Sequence, residues 1–361
     1  MYDGDQTTMK IIWSLEANKE CEEVIQRKSF ILNTTGGLIR QIGNEALQTF
    51  YTMTKDYSPK KGKILNAVQK QEILSIPKEE FTFDKLVDLF GVLTDEGVDK
   101  LKSTTSKYHC QDKFTLRKGE YEGIKEDTET TVGRYIFNKI LFSETPLSPI
   151  VGYVNHLLLA GDFKKIEAAI AKGLLFDKIT VQDVKNYIDV RDWLGFQFHG
   201  VITSSFTPET IQTPKEVAEL RKQLYKKYEK ELADGDTKVM EMIEKQLVAK
   251  TLEVLKDDDG MDLYVSGARG SVGNNMKNMM MVRGSVMNPS TGQYDLVLSS
   301  LNDGIAIKDI PAASNVIVGG AYPKSVNSVE LRNTVRYWKN LSNCWKLSRV
   351  RNSRDNQQRS V

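Results

Sequence analysis

The sequence predicts a helix-rich α+β chain built from several irregular segments, with one long antiparallel helical hairpin as its most regular part. Three observations lead there. Val217, Leu220, Leu224, Tyr228 and Leu232 recur every three or four residues, Ala233-Asp234-Gly235-Asp236 interrupts, and Val239, Ile243, Leu247, Thr251 and Val254 resume the run. That is the period of an amphipathic helix, broken once by turn residues. A second set of helical stripes fills residues 131–193, and the strand-like stretches before it are short.

In chain order, residues 7–13 read as a short strand, and Ser14 as the N-cap of a helix carrying Ala17, Cys21, Val24 and Ile25. Residues 38–53 mix β-branched, aromatic and glycine residues and read as irregular; Lys60–Lys63 reads as a loop. Helical pieces are expected at Ile64–Leu74 and Phe83–Phe90, a turn near Thr94–Gly97, and a hairpin within the polar stretch 103–130. Val132–Leu141, Val154–Ala160, Ile166–Leu175 and Val181–Trp193 follow as helices, then a loop over 194–212. Pro214 suits the first position of the helix that starts the hairpin. Pro289-Ser290-Thr291-Gly292 is a turn. Small residues from Ala306 to Ala321 permit a helix that approaches another backbone, although Pro323 would cost about 3 kcal/mol inside one. Residues 346–361 are polar, basic and without a helical frame, the composition of an unstructured terminus.

Composition limits function more than it assigns it. The 361 residues carry a net charge of +2, so no global basic field marks a nucleic-acid binder. Cys21, Cys110 and Cys344, with three histidines, form no zinc-ligand spacing and suit a reducing compartment. No apolar run reaches membrane-span length, Asp3 and Asp5 stand where a signal peptide is basic, and no internal repeat is present. No G-x-x-x-x-G-K-[ST] phosphate loop occurs, which argues against a stand-alone nucleotide-binding protein.

Two stretches carry candidate chemistry. In Met1-Tyr2-Asp3-Gly4-Asp5-Gln6, Asp3 and Asp5 flank a glycine that lets both carboxylates aim at one hard cation such as Mg²⁺; the alternative is a pair of exposed acids at a chain end. In Ser266-Gly267-Ala268-Arg269-Gly270-Ser271, small residues around Arg269 let a ligand approach the backbone while the guanidinium grips phosphate; the alternative is an arginine held in a turn by carbonyls. Met276, Met279, Met280 and Met281 read as an adaptable packing surface.

Several stretches together resemble the largest (beta-prime) subunit of multisubunit DNA-directed RNA polymerases. Asp3-Gly4-Asp5-Gln6 and Ser14-Leu15-Glu16-Ala17 are similar to the family's catalytic loop N-A-D-F-D-G-D-Q and the T-L-E-A helix after it. Tyr51-Thr52-Met53-Thr54-Lys55-Asp56 resembles Y-Y-M-T-R-D, and Thr130-Thr131-Val132-Gly133-Arg134 resembles T-T-V-G-R. Ser266–Ser271 is identical to a family hexapeptide, and Val282-Arg283-Gly284 resembles the M-R-G beyond it. Order and approximate spacing agree from residue 2 to about 325, with low identity between the motifs, as in the split-subunit polymerases of large-genome tailed bacteriophages.

The resemblance implies a division of labour along the chain. Residues 1–56 match the end of the catalytic loop and its following segment, and 57–130 a connecting segment. Residues 131–212 match the helical funnel through which nucleotides arrive, and 213–256 the rim-like hairpin at its mouth. Residues 257–300 match the nucleotide-contacting and bridge-buttressing loop, and 301–325 the start of the bridge helix; 326–361 is a tail without native fold. Asp3 and Asp5 would hold the catalytic Mg²⁺, which activates the RNA 3′-hydroxyl, and Arg269 would reach the triphosphate. The implied partners are the beta subunit and remaining beta-prime pieces, template DNA, nascent RNA and nucleoside triphosphates, in the cytoplasm of an infected bacterial host. Met1 stands where the family has its first loop aspartate, and the chain leaves the pattern within the bridge helix. An interrupted gene and a chain inactive by itself are the corresponding expectations. A non-catalytic scaffold that docks on polymerase through the hairpin is the alternative.

Overall fold

The computed structural model describes residues 10–91, 93–95, 101–103, 107–203, 208, 210–256, 258–288 and 292–312. The helices are α1 (Leu15–Val24), α2 (Lys28–Ile31), α3 (Asn44–Thr54), α4 (Ala67–Leu74), α5 (Phe83–Phe90), α6 (Val132–Leu141), α7 (Ser148–Val151), α8 (Ala160–Leu175), α9 (Val181–Ile202), α10 (Lys215–Lys227), α11 (Glu229–Ala233), α12 (Thr237–Val254) and α13 (Asp262–Val265). Strands β1 (Leu93–Asp95) and β2 (Leu101–Ser103), β3 (Lys113–Leu116) and β4 (Thr128–Thr131), and β5 (Gly284–Met287) and β6 (Tyr294–Val297) form three antiparallel pairs. The chain is helix-rich α+β.

Two compact units divide these elements. The larger comprises residues 13–221 and 245–281. At its centre lies α3, where Ala46, Phe50 and Met53 are fully buried and Phe50 meets Phe137 edge-on and Phe163 face-on, both with centroids 5.3 Å apart. Two glycines let other helices come this close. A Cβ on Gly195 of α9 would stand 2.2 Å from Ala46 Cβ, and one on Gly133 of α6 would stand 2.0 Å from the Met53 carbonyl oxygen. Helix starts follow local chemistry: Ser14 accepts from the Ala17 amide, Asn66 and Gln69 make a reciprocal capping box, and Thr180 and Asp183 make another.

The smaller unit comprises residues 1–12, 222–244 and 282–361. Leu224, Leu232, Met240 and Ile243 supply its buried helical stripe. Gly235, at φ +78°, closes α11, and Asp236 caps α12 by accepting from the Lys238 and Val239 amides. Arg283 grips the buried Asp309 in a two-bond fork, both contacts 2.8 Å.

Several expectations are corrected. Residues 10–13 form no strand, and Trp13 is 85% exposed. The stretch read as irregular over 38–53 holds α3 from Asn44 onward; burial on every side removes the polar face by which a surface helix is recognised. Val154–Leu159 is non-helical, because buried Asn138 takes both polar backbone groups of Val154, each at 2.8 Å. Helix α9 runs on through Gly195 to Ile202, where a loop was expected, since Gly195 is a packing residue there. The first arm of the expected hairpin breaks at Tyr228 (φ −114°, ψ 32°). Residues 301–309 form two single 3₁₀ turns separated by Gly304 at φ +102°, and the chain is helical from Ile310 to Ala312, where the described residues of that segment end. The rest of that segment from 313, the tail, and Asp3 and Asp5 lie outside the described residues.

Met276, Met280 and Met281 are fully buried in a π-helical stretch, Val272–Met281, and Met279 is half-buried, in keeping with a packing role. The expected hairpin in 103–130 is present as β3–β4, and Gly292 turns between β5 and β6.

Candidate functional site

The larger unit brings three motif stretches to one place. Tyr51–Asp56 occupies the last turn of α3 and the two residues after it. Thr130–Arg134 leads from β4 into α6, with Thr131 as N-cap. Residues 258–271 carry a 3₁₀ turn, α13 and the Ser266–Ser271 loop.

Backbone fit and charge both lock the first two stretches together. With no Cβ, Gly133 sits under Met53, and its amide donates to the Cys110 carbonyl at 2.9 Å. Arg134 donates from Nε to the Thr54 carbonyl at 3.0 Å and from Nη2 to Asp56 at 2.5 Å. Thr54 Oγ1 is buried, donates to the Phe50 carbonyl and accepts from the Leu158 amide.

The third stretch is tied on by a four-charge cluster. Lys55 Nζ lies 2.7 Å from Asp262 and 2.8 Å from Asp259, and Lys61 Nζ lies 2.5 Å from Asp259. Thr52 donates to the other oxygen of Asp262 at 3.2 Å. Burial pulls the Lys55 ammonium down, but Asp262 and Asp259 outweigh it and the pKa stands above the ordinary value. Burial pushes both carboxylates up. The two lysines outweigh it at Asp259, which lies below the ordinary range, while burial prevails at Asp262, which lies above. Burial, reinforced by Asp262, raises the Tyr51 hydroxyl to about 12.

The Ser266–Ser271 loop is held by its own backbone. The Arg269 amide donates to the Leu263 carbonyl at 3.2 Å, and buried Ser266 Oγ accepts from the Ala268 amide at 3.1 Å. Gly267 and Gly270 take φ of +77° and +68°, a region costly for other residues. A Cβ on Gly270 would stand 2.6 Å from Asn275 Oδ1, the atom that accepts from the Ser271 amide. Arg269 itself is exposed and lines a cleft of about 240 Å³ with Asn44, Glu45, Gln48, His199 and Leu263. Among the described residues no carboxylate or carbonyl takes its guanidinium, so the alternative of an arginine fixed by turn carbonyls is not what forms. The cleft offers Arg, amide and imidazole groups to a polyanion, with Glu45 as the one opposing charge.

Among the described residues no group of three His, Cys, Asp or Glu side chains could hold a metal ion. A scan against protein-family models finds no match to this chain, and a search of curated proteins finds none. The Lys55–Asp262 cluster escaped sequence reading because its partners are about 200 positions apart, although the acids in Asp257-Asp258-Asp259-Gly260-Met261-Asp262, just ahead of the glycine-arginine loop, were a visible signal. Arg191, fully buried between Glu167 (2.5 Å) and Asp192 (2.7 Å), was hidden likewise inside the regular helical stripe of α9.

Proposed function

We propose that this chain is part of the catalytic beta-prime subunit of a DNA-dependent RNA polymerase of bacteriophage type, acting with other polymerase subunits on template DNA and nucleoside triphosphates. The observation that carries the reading is the meeting of the resembling motifs. Asp56 and Arg134, 78 positions apart, are paired, and Thr52 is hydrogen-bonded to Asp262, 210 positions on and four residues ahead of the Ser266–Ser271 hexapeptide. Stretches recognised separately by sequence thus pack as one working part, which supports their common origin. Arg269, exposed and without a carboxylate partner among the described residues, is the group that would contact the triphosphate.

Asp3 and Asp5 would be Mg²⁺ ligands, a hard-oxygen donor set with a glycine between. Bound there, the ion would lower the pKa of the attacking hydroxyl and offset charge on the transferring phosphoryl group.

The test is isolation of the tagged chain, with whatever assembles on it, from cells that make it, followed by template-directed nucleotide incorporation. Asp5→Ala is expected to abolish synthesis without dissociating the assembly. A non-catalytic scaffold tolerates that change, so undiminished synthesis sinks the proposal.

A further inference from the structure

We propose that Lys55 is a positioning residue for Arg269, acting through Asp262 and α13. The inference rests on the reading of Arg269 as a triphosphate contact. Its structural part stands on the larger unit alone.

Helix α3 carries both ends of the arrangement. Its first turns present Asn44, Glu45 and Gln48 to the cleft that Arg269 also lines. Its last turn and the residue after it carry Thr52 and Lys55, which hold Asp262. The one Thr52 hydroxyl proton lies between Asp262 Oδ2 at 3.2 Å and the Gln48 carbonyl at 3.1 Å, so the Asp262 anchor and the cleft wall share one helical turn. From Asp262 the path to Arg269 is short and rigid. The Ser266 amide donates to the Asp262 carbonyl at 3.0 Å, and the Arg269 amide donates back to Leu263 at 3.2 Å. Gly267 and Gly270 fix the loop between at positive φ. Lys55 therefore sets where the base of the arginine loop sits on α3, and hence the distance from the guanidinium to Gln48 and Asn44.

The cluster is built for position more than for charge storage. Two lysines face two aspartates, so its formal charge is zero. Asp262 is buried and Lys55 half-buried, with side chains 4% and 15% exposed, and neither is among the residues that line the cleft. Asp259 and Lys61 form the outer half; Asp259 receives both lysines and holds Lys55 from the solvent side. A guanidinium at position 55 could keep the same two partners, whereas an apolar side chain could not.

The experiment is nucleotide incorporation by the assembled polymerase, with KM and kcat read separately. Arg269→Ala is expected to raise KM for nucleoside triphosphate about tenfold, the effect of losing one charge-assisted hydrogen bond to phosphate. Lys55→Met is expected to raise KM comparably with kcat within about twofold, and to add nothing on the Arg269→Ala background. Lys55→Arg is expected to restore the wild-type KM. If Lys55→Met does not yield a folded assembly, Thr52→Val, which removes a single hydrogen bond to Asp262, is read instead, with a smaller rise in KM expected. Unchanged KM in Lys55→Met or Thr52→Val beside a raised KM in Arg269→Ala overturns the inference and leaves the functional reading standing. So does a Lys55→Arg enzyme as impaired as Lys55→Met, or full additivity with Arg269→Ala. Wild-type KM in Arg269→Ala itself overturns the reading on which the inference rests.

Discussion

Gly133→Ala is expected to destabilise the larger unit, against the ordinary trend for a helix. Gly133 and Gly161 are each the second residue of a helix, α6 and α8. Alanine in a helix is normally favoured over glycine by roughly 0.5–1 kcal/mol. At Gly161 the new methyl meets nothing within 4 Å, so Gly161→Ala should gain about that amount. At Gly133 it would lie 2.0 Å from the Met53 carbonyl oxygen, 2.9 Å from that carbonyl carbon and 3.0 Å from Cys110 Cβ. Two of those atoms are backbone in a buried helix, so α6 must move by more than 1 Å from α3. That movement stretches the Gly133–Cys110, Val132–Asp112 and Arg134–Thr54 hydrogen bonds, now 2.9, 2.8 and 3.0 Å. Overpacking costs about 1–3 kcal/mol, and each hydrogen bond lost about 1 kcal/mol. Allowing for the helix gain, a net loss of up to about 3–5.5 kcal/mol follows if all three bonds are lost, or roughly 6–22 °C in melting temperature for a unit of this size. Thermal unfolding by circular dichroism of wild type, Gly161→Ala and Gly133→Ala measures it. A Gly133→Ala protein melting at or above the wild-type temperature would refute the close approach of α6 to α3.

Three further outcomes follow from buried charged and polar groups. Arg191→Met leaves Glu167 and Asp192 without their buried partner and should cost about 3–5 kcal/mol by denaturant titration, whereas Asp177→Asn, which breaks a pair with Lys28 at a carboxylate 82% exposed, should change stability by less than about 1 kcal/mol. Equal effects would show that burial of Arg191 is not what matters. Burial pulls the His109 imidazole below its ordinary 6.5, and its Nδ1 accepts from the Gln111 amide, which only the neutral ring can do. The folded state thus binds fewer protons than the unfolded chain between the lowered pKa and 6.5, so stability is full above 6.5 and falls as pH drops through that window; His109→Gln should flatten that segment of the pH–stability curve, and an unchanged slope would disprove the assignment. Asn138→Ala should cost about 2–4 kcal/mol by the same titration, since it strands both polar backbone groups of Val154; a loss under about 1 kcal/mol would mean that the 152–159 segment is held by its apolar contacts instead.

What the sequence made legible was local. Ser14 announced a helix start through a side chain that bonds to the Ala17 amide, α5 and α6 stand where their periodicity placed them, and the β3–β4 pair answers to the hairpin expected in the polar stretch 103–130. What it concealed was decided by distant partners. Helix α3 lost its period because packing covers nearly every side chain from Ala46 to Thr54, polar ones included. Val154 is extended because Asn138, 16 positions earlier, captures its backbone. Gly195 reads as a helix breaker until Ala46 is seen against it. The candidate site divides the same way: Arg269 stood out by its glycine neighbours, whereas Lys55 and Asp262 are individually unremarkable until folding pairs them.

The fate of the arginines in the resembling stretches sharpens the choice of contact residue. Arg134 is buried, bound to the Thr54 carbonyl and Asp56. Arg283, from Val282-Arg283-Gly284, is forked onto buried Asp309. Both have the donors that recognise phosphate, and in both those donors are already directed at protein oxygens. At Arg283 a ligand would have to displace buried Asp309 and leave it uncompensated; at Arg134 it would have to reach a buried guanidinium already bonded to the Thr54 carbonyl. Arg269 faces no such competition among the described residues: its backbone is fixed by glycine geometry while its guanidinium is exposed. Sequence likeness alone ranks the three arginines by motif specificity. Burial and partner geometry separate them by role, with two joining parts of the fold and one left to meet something outside it.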